Sequence, residues 1–300
     1  MTATLPRHLV DFAGALAAPP ASMAAPEEHD VRVGGLRMHY YDWGGPADRP
    51  VVLVHGGGLT AHTWDAVALG LRDEFRCVAL DLRGHGDSDW ADDYRLEAFA
   101  GDLGGFVAAL GLDAPVLVGM SLGGQSSLLA AAAAPDPRGL VLVDVGPDTV
   151  LAGSRRIVRF VSSGHEFASV EQAVSIALAF NPRRDREVLR ETLRNNLRER
   201  EDGRWTWKYD SSMFEPLLAP GTREHNAALM WAAVPHVRCP VLVLRGSESD
   251  VFSEAQAVEL AGRLPNASWQ EVEGAGHSIQ GDNPLGTIAA LAPFLRERYA

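Results

Sequence analysis

The sequence predicts an α/β fold, a doubly wound and mostly parallel sheet with an inserted helical cap. Three observations carry the prediction. Short apolar runs at Pro50–His55, Cys77–Asp81, Pro115–Met120, Gly139–Asp144 and Pro240–Arg245 are continuous rather than alternating. Such runs mark strands buried on both faces, as parallel strands covered by helices are. Helical stretches near 96–110, 122–134 and 254–263 lie between them, and a β-α-β-α order builds a doubly wound sheet. Residues 148–235 then break the rhythm and offer no buried-strand run.

Taken in chain order, residues 1–30 form an N-terminal extension rich in Ala and Pro. Asp11 interrupts its only apolar stretch. A secretory signal needs an unbroken apolar core, so the segment reads as a loosely ordered extension of a cytoplasmic protein. The first core segment, 31–147, opens with two short strands between Val31 and Trp43. Gly34-Gly35 is the hairpin turn between them. The cap, 148–235, carries helical patterns near 154–162, 169–180, 184–200 and 222–233, plus the aromatic segment Trp205–Tyr209. The second core segment, 236–300, contributes the Pro240–Arg245 run and a last strand over Ser268–Glu273.

Composition bounds the function. The 300 residues carry a formal net charge of −12. Nucleic-acid binding needs a positive field, so that class is excluded in favour of a small-molecule substrate. The Arg-rich stretch Arg183–Arg200 is interleaved with Asp185, Glu187, Glu191 and Glu199, and reads as a solvated helix face. No apolar run is long enough to span a bilayer. Cys77 and Cys239 each open an apolar run, as small buried strand residues do. No metal-ligand spacing and no dinucleotide fingerprint is present, so no cofactor or metal is expected. Oligomeric state stays open.

The strongest chemical signal is Gly119-Met120-Ser121-Leu122-Gly123, placed after an apolar run and before a helical stretch. A sharp strand-to-helix turn with small neighbours exposes the serine hydroxyl at a helix N-terminus, which makes Ser121 the candidate nucleophile. A serine hydroxyl needs a base. Gly274-Ala-Gly-His277 sits after the last predicted strand, and its small neighbours let the ring project, so His277 is the candidate base. Two carboxylates can orient that ring. Asp250 lies in the loop after Val241–Leu244, between serine and histidine in chain order, and is favoured. Asp144 ends the preceding strand and is the alternative, with Glu248 a weaker third. His62, Trp64, Met120 and Phe252 are the candidate pocket residues. Arg155 or Arg159 would bind a substrate carboxylate if they faced the pocket, though a solvated helix face is the plainer reading.

His55-Gly56, Asp81-x-Arg83-Gly84-His85-Gly86-x-Ser88, Gly119-x-Ser121-x-Gly123, Arg245-Gly246-x-x-x-Asp250 and Gly276-His277 together resemble the α/β-hydrolase superfamily. The resemblance is to its capped esterase, lactonase and C–C-bond hydrolase branch, and it covers about 31–147 and 236–300. It implies a Ser121, Asp250, His277 triad that cleaves an ester or lactone through an acyl-enzyme. It also implies an oxyanion hole from the backbone N–H groups of Gly57 and Leu122. His55, Arg83 and His85 read as residues that pack the turns. The related haloalkane dehalogenases and epoxide hydrolases carry Asp where this chain has Ser121, so their chemistry is not expected. A C–C-bond hydrolase or lyase that reuses the triad, and a ligand sensor on the same fold, are the competing readings.

Overall fold

The computed structural model describes residues 5–133, 137–163 and 166–300, with the side chain of Leu218 left aside. Its first helix, α1 (Arg7–Ala15), precedes a hairpin of β1 (Glu27–Val33) and β2 (Leu36–Asp42). Val33 pairs with Leu36 across Gly34 and Gly35, whose φ values are +56° and +91°. A two-residue turn with both φ positive matches strand twist, and glycine reaches it without strain.

The chain then alternates. β3 (Pro50–Val54) leads through a one-turn helix at Ala61–Trp64 to α2 (Asp65–Leu71), and β4 (Arg76–Leu80) to α3 (Leu96–Ala109). β5 (Val116–Met120) leads to α4 (Leu122–Ala133), then β6 (Gly139–Val143). Ala134, at the predicted end of α4, lies outside the described residues.

Between β6 and the next core strand run α5 (Leu151–Ser162), β7 (Glu166–Phe167), α6 (Val170–Phe180), α7 (Arg186–Leu193), β8 (Leu197–Glu199), β9 (Trp205–Trp207) and α8 (Thr222–Ala233). The core resumes with β10 (Val241–Gly246), α9 (Glu254–Arg263), β11 (Ala267–Val272), α10 (Ile279–Asp282) and α11 (Pro284–Arg298).

The described residues build an eight-stranded sheet in the order β1-β2-β4-β3-β5-β6-β10-β11. Every neighbour pair from β4 to β11 is parallel, and only the β1–β2 hairpin and its junction with β4 are antiparallel. All side chains of β3, β5 and β6 are buried, which is why their sequences read as unbroken apolar runs. Two apolar clusters cover the two faces. One gathers Val52, Val54, Leu117 and Leu142 with α3 and α4; the other gathers Val51, Leu53, Val118 and Val143 with α1, α2 and α11.

Two expectations change. The 148–235 segment is not purely helical, because β7, β9 and β8 form a small antiparallel sheet. The helix predicted over 184–200 stops at Leu193, since Leu197–Glu199 pairs with Trp205–Trp207. The described part of the N-terminal extension is ordered as well. Leu5, Leu9 and Ala13 stand four residues apart and are buried together in the α2 side of the core. That spacing is one stripe of an amphipathic helix.

Candidate active site

The serine turn follows from its glycines. Ser121 has φ +51°, in the left-handed region that a non-glycine residue adopts only under constraint. A Cβ on Gly119 would collide with the backbone of Gly123. One on Gly123 would collide with the carbonyl oxygens of Val54 and His55. The turn therefore closes only with glycine at both places, and it sets Ser121 at the head of α4. Ser121 lines a cavity of about 1670 Å³.

His277 follows β11 in a loop that Gly274 turns with φ +66°. Its Nδ1 donates to Asp144 Oδ2 at 2.8 Å. Asp144 is fully buried and also has φ +51°. Its carboxylate accepts from Gly246 N–H at 3.0 Å and from Ser249 Oγ–H at 2.6 Å. A buried carboxylate is tolerable only with such a set of donors.

Asp250, the favoured acid, is not at the imidazole. It is about half exposed and pairs with Arg156 of α5 at 2.8 Å. The carboxylate at His277 comes instead from Asp144, at the end of β6, which the sequence offered as the alternative. Ser249 turns in to Asp144, and its Oγ accepts the N–H groups of Val251 and Phe252. That compact turn leaves Asp250 facing outward. Glu248 also faces away and pairs with Arg183 at 2.6 Å.

The loop after β3 passes beside the serine. A Cβ on Gly56 would strike Met120 Sδ and lie 3.2 Å from Ser121 Cβ. Two buried imidazoles hold this loop. His55 Nδ1–H donates to Gly56 O at 2.8 Å, and its Nε2 accepts from Leu82 N–H at 3.0 Å. His85 Nδ1–H donates to Arg83 O, and its Nε2 accepts from Gly58 N–H, both at 3.0 Å. Burial lowers both basicities, and His85 is pushed down to about 3. Both rings are therefore neutral acceptors that position the backbone. Arg83 forks onto Asp102 and caps the Asp93 carbonyl, again as scaffold. Gly57 N–H has no acceptor among the described residues. Leu122 N–H belongs to the first turn of α4, where intrahelical acceptors are missing.

Of the predicted pocket residues, His62 and Met120 line the cavity. Trp64 and Phe252 do not. Trp64 is fully buried in the α2 side of the core, and Phe252 is buried against Gly146. Arg155 and Arg159 line the cavity and are exposed. The Arg-rich stretch is less free than predicted, because Arg184 pairs with Asp282 at 2.6 Å beside the His277 loop. Sequence reading missed α1, whose His8, Leu9 and Phe12 help to wall the cavity. The apolar spacing of Leu5, Leu9 and Ala13 was the available signal.

Among the described residues, His39, Asp81 and Asp87 bring possible metal-ligand atoms within 4.8 Å of one another. Protein groups already occupy them. Asp81 accepts from His39 Nδ1, Ala61 N–H and Asp87 N–H, and Asp87 pairs with Lys208. The group braces the turn after β4.

The sheet order and the serine turn define an α/β hydrolase, and comparison with known proteins agrees. Residues 51–291 match the model of the alpha/beta hydrolase family, and the chain belongs to that family. It is 34% identical over 283 residues to the esterase Rv0045c of Mycobacterium tuberculosis, covering 91% of this chain and 90% of that protein. It is 31% identical over 273 residues to the N-formylmaleamate deformylase of Pseudomonas putida, covering 89% and 95%. The crystal structure of an alpha/beta hydrolase from Novosphingobium aromaticivorans superposes with a TM-score of 0.78 at 30% identity, over 92% of this chain and all of that one. The chain is an enzyme, a hydrolase. Among the described residues, no helix is long and apolar enough to cross a membrane.

Proposed function

We propose that this enzyme is a serine hydrolase that cleaves a small carboxylic ester or lactone through an acyl-enzyme. The observation that carries the reading is the Asp144–His277 hydrogen bond at the cavity lined by Ser121. His277 Nδ1–H is held by Asp144, so the neutral ring keeps its Nε2 lone pair to take the Ser121 proton. Ser121 Oγ then bonds to the substrate carbonyl carbon. The N–H groups of Gly57 and Leu122 receive the developing oxyanion. Collapse breaks the bond to the leaving oxygen, which takes the proton from His277. Water repeats the sequence on the acyl-serine and restores the free enzyme.

Residues 148–235 act as a cap that selects the substrate. Phe160, Phe180, Tyr209 and Phe214 from this segment line the same cavity as Ser121, which supports that role. Cys77 and Cys239 are buried thiols, which fit a reducing, cytoplasmic setting. A fluorophosphonate probe tests the central assignment. Peptide mapping is expected to place one adduct on Ser121, with loss of turnover in proportion to labelling. An adduct elsewhere on inactivated enzyme would refute it.

A further inference from the structure

The cavity has a second polar region that the triad does not use, where the helix Ala61–Trp64, α2 and α10 pack against one another. Gln280 is only 1% exposed. Its Nε2 donates to Thr63 Oγ1 at 2.9 Å, while its Oε1 has no partner among the described residues. Asp65 is 7% exposed. Its Oδ2 takes the His62 Nδ1–H at 2.8 Å, while its buried Oδ1 has no partner there either. His62, Thr63, Asp65 and Gln280 all line the cavity that holds Ser121.

Buried polar atoms are almost always satisfied, and leaving one without a partner is costly. The two residues stand on adjoining elements of one cavity wall, and each carries an enclosed oxygen that lacks a partner among the described residues. The missing partner is a donor. Asp65 Oδ1 accepts whichever way the Gln280 amide is turned, and the His62 Nδ1–H is already spent on Asp65 Oδ2. Burial lowers the His62 pKa, but the adjacent Asp65 carboxylate outweighs it and the net shift is upward. Apolar side chains such as Leu9, Phe12 and Leu122 line other parts of the cavity.

We infer that Asp65 and Gln280 form a subsite for a hydrogen-bond donor group, a hydroxyl or an ammonium, carried by the substrate away from its scissile carbonyl. This rests on the reading of Ser121 as nucleophile. A site built to receive a donor group favours it over the analogue that lacks it, because the analogue leaves its acceptors unpaired.

The test uses the full chain and 4-nitrophenyl esters of unbranched acids of graded length, each ending in a methyl, a hydroxyl or an ammonium group. At one chain length the hydroxyl or the ammonium ester is expected to exceed its methyl partner in kcat/KM by about five- to tenfold. Which of the two wins identifies the donor. Asp65→Asn, which keeps the side-chain shape, and Gln280→Met should each bring that ratio towards one. The wild-type ratio is decisive even if a variant fails to fold. A ratio of one or less at every length would mean that the atoms hold water only, and would overturn the inference. So would a preference that survives both substitutions. Fluorophosphonate labelling of the same preparation separates the two readings. A labelled Ser121 with flat ratios removes the subsite alone, whereas an unlabelled Ser121 removes the nucleophile on which it rests.

Discussion

Replacing Asp144 by Asn separates the two carboxylates that the sequence offered to His277. Asp144 accepts three hydrogen bonds, from Gly246 N–H, Ser249 Oγ–H and His277 Nδ1. An asparagine has one acceptor oxygen and one NH₂. If the oxygen stays on Gly246 N–H, which cannot turn away, the NH₂ faces Ser249 and His277. Ser249 Oγ, which already accepts from the Val251 and Phe252 N–H groups, loses the acceptor for its own proton. His277 must then shift its proton to Nε2, and that tautomer cannot take a proton from Ser121. A wrong tautomer in an otherwise intact triad lowers the rate about 10⁴-fold. At 1.36 kcal/mol per factor of ten, this is about 5.4 kcal/mol of transition-state stabilisation. Asp250→Asn removes only a half-exposed pair with Arg156, of the kind that contributes about 0–1 kcal/mol, so its rate should stay within about threefold of wild type. The measurement is kcat/KM on a 4-nitrophenyl ester, which reports the steps through acylation, with thermal melts to confirm that both variants fold. A larger loss in Asp250→Asn than in Asp144→Asn, in two folded proteins, would refute the assignment.

Two further outcomes are expected. Gly123→Ala should destabilise the protein by roughly 3 kcal/mol or more, because its Cβ meets the rigid carbonyls of Val54 and His55 rather than a side chain that can move; denaturant titration showing a loss below about 1 kcal/mol would contradict the packing argument. Acid should weaken the fold through His85, whose folded pKa of about 3 lies below its value of about 6.5 in the unfolded chain. Its contribution is complete above pH 6.5 and falls by about 1.4 kcal/mol per pH unit as pH drops towards 3. His39 works in the opposite sense, since Asp81 raises its pKa despite burial. Comparing urea midpoints at pH 7 and pH 5 isolates His85: His85→Gln should be less acid-sensitive than wild type by about 2 kcal/mol, and equal sensitivity would count against a neutral buried ring.

What the sequence made legible follows from the range of the forces involved. The parallel strands were readable because burial on both faces leaves uninterrupted runs such as Pro50–Val54 and Gly139–Val143. The serine turn was readable because steric crowding permits only glycine at 119 and 123. The small sheet in 148–235 was not, since strands of two or three residues carry no usable alternation. The helix over 184–200 was overextended because charge spacing is local, whereas the pairing of Leu197 with Trp207 is not. The choice between Asp144 and Asp250 was also non-local. It depends on which way Ser249 turns. Trp64 and His62 are two residues apart, yet one enters the core and the other faces the cavity, a distinction set by the packing of α2.

The register of β5 on β6 pairs Met120 with Val143, so Ser121 and Asp144 are the next residues on adjacent strands. In the proposed mechanism the His277 ring therefore serves two residues one inter-strand step apart, each just past the end of a fully buried strand. The neighbouring loop supports Asp144 through Gly246 N–H and Ser249 Oγ–H and also serves as a mooring point, with Asp250 tied to α5 through Arg156. Asp144 and the Asp250 tether thus follow separate strands, β6 and β10. Under the proposed mechanism, side chains of the segment over the cavity can change with the substrate while the strand end that carries Asp144 keeps its sequence.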